Sequence, residues 1–299
     1  MGNILAWKLG ELAEQVHALL LFSQLYHFFA YSIKKPEMQL EKGMLIISID
    51  VDVGNRELGI INKGRNSANF GKGMNEYKIG EIEELALPSF AETFNNFGIP
   101  VTFAIRGQLT EVNGSILGLL LKSSVKHDIG SHGYYHRMAR SLSRDEFENE
   151  LNAISLGMEK FGIVPRTFVF PYNSVAYLDL LEKHGYKCYR GYGDFMTDRM
   201  CIEKDGQLYN IHPSLYINQH IRLMFLKKIL DISIASKSPF HIWFHLWNFG
   251  ETKKEIQKFT KRVFLPFLGY AKRGKENGVL SFETMLSAAL KVEGNLSDA

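Results

Sequence analysis

The stretch ISIDVDVG, residues 47–54, decides how the chain is interpreted. With Met44–Ile46 before it, the run of β-branched residues and leucine predicts a buried β-strand. Asp50 and Asp52 follow at its carboxyl end, with only Val51 between them. Alternate side chains of a strand share a face, so the two carboxylates repel each other and are costly to desolvate there. The pattern therefore predicts either a bound cation that offsets the repulsion between the two carboxylates or a chemical role for the pair.

The composition is that of an ordinary globular protein. The chain has 299 residues, of which 45% are hydrophobic and 22% charged, which suits one large α/β domain or two smaller ones. A net charge of +3 is too small to indicate nucleic-acid binding, and we expect no nucleic-acid partner. The only cysteines, Cys188 and Cys201, exclude a disulfide framework and favour a reducing compartment.

The chain divides into an N-terminal apolar or amphipathic helical segment, residues 1–40, and a single domain over residues 41–299. Residues 16–33 contain no Asp, Glu, Lys or Arg and precede Lys34 and Lys35. Two histidines, a serine and a glutamine make this stretch a poor membrane span. A helix packed on its own domain and an amphipathic helix in a membrane interface are both compatible with it. Because the start lacks the features of a signal peptide, we expect a cytoplasmic protein, with peripheral association at the inner membrane face.

The rest of the chain alternates between predicted strands and helices. Residues 55–80, rich in glycine, asparagine and lysine, predict a long loop, which could clamp a phosphate but fits a solvated basic loop better. Further strands are predicted at 101–105, 127–130, 167–170, 187–190, 209–211 and 240–244. Helices are predicted at 81–97, 115–125, 143–162, 175–183, 221–236, from 252 onward and 282–292, two of them opened by capping boxes. This order indicates a mostly parallel sheet, either a barrel or an open doubly wound sheet, with active residues at the carboxyl ends of the strands.

Polar residues occur at several of these predicted strand ends. His132 and His136, in the sequence GSHGYYH, follow the third strand, and His245 follows the strand HIWF. Two histidines four residues apart, together with one carboxylate, form a facial set that leaves positions open for water and substrate. One aspartate could then bind a divalent ion while the other takes a proton.

With these motifs the chain resembles the polysaccharide deacetylases that share a NodB homology domain, carbohydrate esterase family 4. The resemblance covers roughly residues 44–250, and the D-x-D form of the first motif is similar to a subgroup with peptidoglycan deacetylase-like and allantoinase-like members. It implies a distorted (β/α) barrel of about seven strands and makes residues 41–299 the catalytic domain. The third motif departs from the family's Arg-x-Pro-Tyr-Gly, because it reads FVFPYN and lacks the orienting arginine. Arg106 or Arg190, each just after a strand, could replace that arginine.

The resemblance also implies a role for each motif residue. Asp50 is then the catalytic base and His245 the acid that protonates the leaving amine, while the backbone N–H of Tyr172 stabilises the oxyanion. The metal ligands are Asp52, His132 and His136, with zinc foremost and cobalt, manganese or nickel as alternatives. Tyr134, Tyr135 and Trp247 lie beside these motif residues and could stack on sugar rings, although packing in the core is the more common role of such aromatic side chains.

These roles together imply a metal-dependent hydrolase that removes an N-acyl group, foremost N-acetyl, from a sugar or glycan precursor. One alternative is an allantoinase-like or deformylase-like amide hydrolase. A second is a degenerate, non-hydrolytic module that only binds glycan. The presence of both Asp50 and His245 favours a hydrolase, because binding alone needs no acid–base pair.

Overall fold

The computed structural model describes residues 31, 37–52, 76–112, 114–192, 199–250 and 252–297. Most of the predicted N-terminal segment, residues 1–40, and residues 55–75 of the predicted loop lie outside the described residues. Tyr31 is buried, and its hydroxyl donates to the carbonyl of Ser214 at 2.6 Å. In the described part of the chain, no helix has both the length and the apolar character needed to cross a membrane.

A ten-stranded sheet forms the centre of the described structure. Its strands are β1 Gly43–Val51, β2 Thr102–Ile105, β3 Asp128–Ser131, β4 Thr167–Ser174, β5 Cys188–Tyr192, β6 Ile202–Asp205, β7 Leu208–Ile211, β8 Leu215–Tyr216, β9 Pro239–His245 and β10 Leu280–Glu283. Their order is β6-β7-β5-β4-β3-β2-β1-β9-β8, with β10 also beside β1. Every pair is parallel except the β6–β7 hairpin.

Helices connect the parallel strands, as parallel pairing requires. They are α1 Glu76–Phe97, α2 Leu109–Val112, α3 Ser115–Leu121, α4 Arg144–Glu159, α5 Leu178–Lys183, α6 Leu223–Ser236, α7 Lys253–Phe259, α8 Leu265–Glu276 and α9 Met285–Ser297. The predicted capping boxes open α4 and α7, where the side chains of Ser143 and Thr252 each accept from a backbone N–H three residues on.

The sheet curls back on itself. β7 and β8 belong to opposite ends of the strand order, yet only residues 212–214 join them. His241 of β9 contacts both sides of this join, because its carbonyl accepts from the N–H of Ser214 at 2.8 Å and its Nδ1 lies 3.2 Å from the carbonyl oxygen of Ile211. Seven strands of four or more residues, β1–β5, β7 and β9, run parallel in this curled order. The sheet is therefore the predicted distorted barrel.

Alternation along β1 separates the two faces of the sheet. Leu45, Ile47 and Ile49 belong to the core between the sheet and the surrounding helices. Met44 and Ile46 belong instead to a second buried cluster, which contains apolar residues of α9. Because α9 contacts β1, β5 and β7, it covers the amino end of the barrel interior. The same inner face continues toward the carboxyl end with polar residues.

Three local predictions were wrong. Asp50 lies inside β1 rather than after it, since the strand extends to Val51. Residues 76–80, predicted as loop, belong to α1. Residues 282 and 283, predicted as the start of a helix, belong instead to β10 beside β1, because so short an apolar run fits a strand as well as a helix.

Candidate active site

A cavity of about 360 Å³ opens at the carboxyl ends of the parallel strands. All six residues singled out from the sequence line it: Asp50, Asp52, His132, His136, Tyr172 and His245. Its other lining residues are Phe170, Asn173, Arg190, Tyr216, Trp243 and Trp247. The structure therefore brings the predicted residues into one site, although their chemical roles remain predictions.

Strand register places the acidic and basic groups beside each other. β1 and β9 are parallel, and Asp50 is the register partner of His245. Nε2 of His245 lies 3.3 Å from Oδ2 of Asp52 and 3.8 Å from Oδ2 of Asp50. His132 directly follows β3, which is the second strand along the sheet from β1. Pairing alone thus gathers four side chains that are far apart in the sequence.

Asp52, His132 and His136 can donate to one metal ion, because their ligand atoms all lie within 4.8 Å of one another. Oδ1 of Asp52 is 3.1 Å from Nε2 of His132 and 3.5 Å from Nε2 of His136. Ligand atoms on a tetrahedral zinc ion lie about 3.3 Å apart, given bonds of about 2.0–2.1 Å. Both distances are close to this spacing, so the residues present fit a divalent ion.

Hydrogen bonding fixes which nitrogen of His132 faces this site. Nδ1 lies 2.8 Å from the carbonyl oxygen of Val169, so Nδ1 carries a proton and donates it. Nε2 then faces Asp52 and binds either a proton or a metal ion. Burial lowers the pKa of His132, but the charges of Asp50 and Asp52 outweigh it and raise the pKa above its usual value. Burial dominates at His136 and lowers its pKa to about 3, which keeps that ring neutral and available as a ligand.

A buried carboxylate holds the loop between the two histidines. Glu150 of α4 accepts from the backbone N–H of Tyr134 at 2.9 Å and of Tyr135 at 3.3 Å. It also accepts from Nε of Arg137 at 2.6 Å. The loop needs this support because His136 has a φ of 55°, in the left-handed region that few non-glycine residues adopt. Glu150 was missed in the sequence, where it is one acidic residue among several on an amphipathic helix.

We expect Glu150→Gln to weaken zinc binding by about tenfold to 100-fold, because groups that orient ligands have effects of this size. The amide keeps the size of the side chain but loses the charge that pairs with Arg137. Glu159→Gln, an exposed change on the same helix, is the matched control. Zinc affinity measured by competition with a chelator checks the prediction, and equal affinity in both variants would contradict it.

Arg190 takes the place of the missing motif arginine. It lies on β5, is 1% exposed, and donates through one terminal nitrogen to Oδ2 of Asp50 at 2.5 Å. Its guanidinium also stacks 4.5 Å from the ring centre of Trp243. Arg106, the other candidate, donates to the carbonyl oxygens of Asp52 and Tyr135 and to the side chain of Gln108. Of the two, Arg190 makes the contact expected of the orienting arginine.

A chain of hydrogen bonds fixes Arg190 in turn. Its second terminal nitrogen donates to Oγ of Ser48 at 2.7 Å, and that oxygen lies 2.8 Å from Nε2 of His241. Because the pKa of His241 is lowered to about 3, first by burial and then by Arg190, its ring is neutral and accepts from Ser48. Ser48 and His241 were missed in the sequence. The alternation of side chains along a strand could have identified them, because it places Ser48 on the same face as Asp50 and His241 on the same face as His245.

Arg190 also governs the protonation of Asp50. Burial alone would raise the pKa of Asp50, but Arg190, His132 and His245 outweigh it and hold the pKa below its usual value. Asp52 behaves likewise, since burial is outweighed by the three histidines and its pKa is lowered. Both carboxylates are therefore ionised at neutral pH.

We expect Arg190→Gln to lower kcat/KM about 100-fold and to move the acidic limb of its pH profile to higher pH. Arg190 lowers the pKa of Asp50, so its loss raises that pKa and Asp50 becomes protonated at a higher pH. Arg190→Lys keeps the positive charge but not the two-pronged geometry, and should shift the limb less. Arg144→Gln, at a surface ion pair with Asp179, is the control. A pH–rate profile with an unmoved acidic limb in Arg190→Gln would contradict the assignment.

The end of β4 is irregular where the third motif departs from the family pattern. Tyr172 and Asn173 have φ values of 57° and 53°, and the pairing register with β5 shifts between Val169 and Ser174. Asparagine is among the few non-glycine residues that tolerate this conformation, which explains how Asn173 can stand where the family has glycine. Such bulges re-aim backbone groups beside active sites.

Aromatic rings form the wall of the cavity around His245. The ring of Trp247 stacks on His245 with centres 4.7 Å apart, and Tyr216 and Trp243 pack together at 4.7 Å. Asn248 accepts from the backbone N–H of His245 at 2.7 Å and lies 3.1 Å from its Nδ1, so Nε2 points toward the carboxylates. Of the two roles considered for Tyr134, core packing is the one observed, because this side chain is 6% exposed and belongs to the hydrophobic core. Tyr135 is exposed but does not line the cavity, whereas Trp247 does.

Comparisons with known proteins agree with the fold described above. Residues 80–189 match the family model for polysaccharide deacetylase. Among curated proteins, no sequence matches the chain. The fold is similar to that of a Mycobacterium smegmatis protein assigned as a polysaccharide deacetylase, with a TM-score of 0.65 at 14% identity over 88% of this chain and 94% of that one. A protein of Pseudomonas aeruginosa PAO1 with the same assignment gives 0.64 at 15% identity over 82% and 89%. The PuuE allantoinase gives 0.60 at 16% over 82% and 88%. These similarities confirm the predicted NodB-like barrel.

Proposed function

We propose that the chain is a member of the polysaccharide deacetylase family, whose model matches residues 80–189, and that it removes an N-acyl group from a sugar or glycan precursor. The acyl group is foremost N-acetyl. Asp52, His132 and His136 would hold one divalent ion, foremost zinc. Asp50 and His245 are the catalytic base and acid.

One observation supports this proposal above the others. The three ligand atoms of Asp52, His132 and His136 lie within 4.8 Å of one another, and both Asp50 and His245 reach to within 3.8 Å of that set. A module that only binds glycan needs a shaped surface but no buried acid–base pair beside a metal site. The arrangement therefore favours hydrolysis.

Asp50 is suited to accept a proton through one particular oxygen. A divalent ion bound at this site would polarise the substrate carbonyl and lower the pKa of water toward about 7. Oδ2 of Asp50 is held by Arg190, whereas its buried Oδ1 has no hydrogen-bond partner among the residues that the structure describes. Oδ1 is thus the atom that takes the proton from the attacking water, while Arg190 keeps the carboxylate from rotating.

Two further groups act on the reacting amide. The backbone N–H of Tyr172 donates to the oxygen that becomes negative as water attacks the carbonyl. His245, whose Nδ1 is oriented by Asn248, donates a proton from Nε2 to the departing nitrogen. Without that proton the amine is a poor leaving group. The products are a small acid, foremost acetate, and a free amine.

We propose that the substrate is a sugar precursor on a lipid or nucleotide carrier, met in the cytoplasm at the inner membrane face. The aromatic ring of Trp247 beside His245 suits the apolar face of a sugar. Cys188 and Cys201 are free thiols, as a reducing compartment favours. Residues 16–33 and the loop 55–75 would contribute membrane and phosphate contacts.

The experiment is to incubate the purified, zinc-loaded protein with N-acetyl and N-formyl amino sugars, their nucleotide-linked and lipid-linked forms, and allantoin. We expect acetate or formate release from an amino sugar derivative, measured with an enzyme-coupled assay. If allantoin is the only compound hydrolysed, the substrate is a ureide and not an amino sugar derivative. Absence of hydrolysis across the panel, with binding of the sugars retained, would favour the glycan-binding module instead.

A further inference from the structure

Charge is distributed unevenly along the chain. Residues 222–276 contain twelve of the 35 lysines and arginines but only four of the 32 aspartates and glutamates. This part therefore carries a net charge of +8, while the rest of the chain carries −5. The overall charge of +3 conceals this separation.

Much of this positive charge lies on one long helical run. α7, a π-helical segment at Thr260–Phe264 and α8 follow each other without a break over residues 253–276, a length of about 36 Å. Its inward side is apolar, with Ile256, Phe259 and Phe264 buried. Its outward side bears exposed cations at Lys253, Lys254, Lys258, Lys261, Arg262, Arg273 and Lys275, which we call the basic face.

Among the residues that the structure describes, no carboxylate pairs with the middle of the basic face. Lys254, Lys258, Lys261 and Arg262 make no ion pair with any residue that the structure describes. Four unpaired like charges along one helix repel each other, which costs stability unless an anion lies opposite them. A charge distribution of this kind indicates an external anionic partner.

The basic face begins at the mouth of the cavity. α7 starts three residues after Gly250, which ends the turn that carries Trp247 beside the candidate acid His245. α6, which packs against α8, begins seven residues after β8, whose Tyr216 lines the cavity, and both Arg222 directly before α6 and Met224 in its first turn are exposed. A partner bound to the basic face would therefore lie next to the entrance for substrate.

We propose that the basic face docks the protein on an anionic phospholipid bilayer, with the mouth of the cavity beside the membrane surface. Exposed lysines and arginines spread along a helix bind anionic headgroups through charge. Met224, which is 64% exposed at the same end, adds an apolar contact. Binding of single-stranded nucleic acid is less well supported, because it uses exposed aromatic rings, and Tyr270 on this helix is half-buried under Lys227 and Arg273.

The test is co-sedimentation of the full chain with vesicles of phosphatidylcholine alone or with 30% phosphatidylglycerol, at low and high salt. The basic-face variant reverses four charges: Lys254→Glu, Lys258→Glu, Lys261→Glu and Arg262→Glu. The control variant makes the same change in net charge at exposed lysines elsewhere: Lys122→Glu, Lys126→Glu, Lys160→Glu and Lys204→Glu. Circular dichroism establishes that each variant is folded, and a glutamine version of the basic-face variant serves if the glutamate version is not.

We expect the unaltered protein to bind only the anionic vesicles, with binding lost at high salt. The basic-face variant should bind at least about tenfold more weakly and the control within about twofold of the unaltered protein. If vesicle binding is weakened equally in both variants, the net charge alone explains it and the proposal is wrong. The proposal is also wrong if binding to neutral vesicles survives the charge reversal, or if the protein binds an oligonucleotide but not vesicles. None of these outcomes depends on hydrolysis, so they test this proposal independently of the proposed function.

Discussion

Replacing Asp50 by asparagine should lower kcat by about 10²- to 10⁴-fold while leaving zinc content near one ion per chain. The amide fills the same space but cannot take a proton from water, and general base catalysis contributes effects of this size. His245→Ala should have a similar effect, because the leaving amine would then depart without a proton. Steady-state kinetics combined with elemental analysis of the same samples measures both quantities.

The control for these variants is Asp145→Asn, an exposed change in the first turn of α4. If Asp50→Asn loses the ion, Asp50 rather than Asp52 is the ligand and the two aspartates have exchanged roles. If both Asp50→Asn and His245→Ala keep full activity, the hydrolytic mechanism is wrong.

His132→Ala and His136→Ala should each weaken zinc binding by more than about 100-fold, beyond the effect of losing a group that only orients a ligand. Each change removes one of three ligands from a site whose donor atoms are already within 4.8 Å of one another. Activity at limiting zinc should fall in parallel. Zinc content after dialysis, measured by elemental analysis, checks the prediction.

His220→Ala, an exposed histidine outside the cavity lining, is the matched control. The double variant of His132 and His136 should contain almost no zinc after dialysis. Full zinc content in the double variant would contradict the ligand assignment, because Asp52 alone cannot hold an ion tightly.

Periodic patterns in the sequence were sufficient to predict a mostly parallel sheet with polar residues at its strand ends, whereas the barrel was implied by the resemblance to the deacetylase family. Apolar strands alternating with helices predict parallel pairing, and the carboxyl ends of parallel strands meet on one side. Asp50, His132 and His245 were therefore expected to converge before any distance was known. The distances between these side chains were not predicted. Nor was the hydrogen bond from Arg190 that holds Asp50.

The supporting residues could not be predicted with the same certainty, because each depends on a contact between distant segments. Arg190 was one of two arginines that fitted equally well, and only the curl of the sheet brings it from β5 across to Asp50 on β1. Glu150 reaches the histidine loop through the packing of α4, which helical periodicity does not specify. β10 was missed because a run of four residues carries little information until β1 offers it a pairing partner, even though Asn277 and Gly278 form a turn signal before it.

The most direct test is a zinc titration of the metal-stripped protein, with acyl release from the best amino sugar substrate as the readout. We predict that activity is absent at the start, rises linearly, and reaches a plateau at one zinc ion per chain. The double variant of His132 and His136 should stay inactive throughout the titration. Full activity in the stripped protein, before any zinc is added, would contradict a metal-dependent hydrolase built on Asp52, His132 and His136.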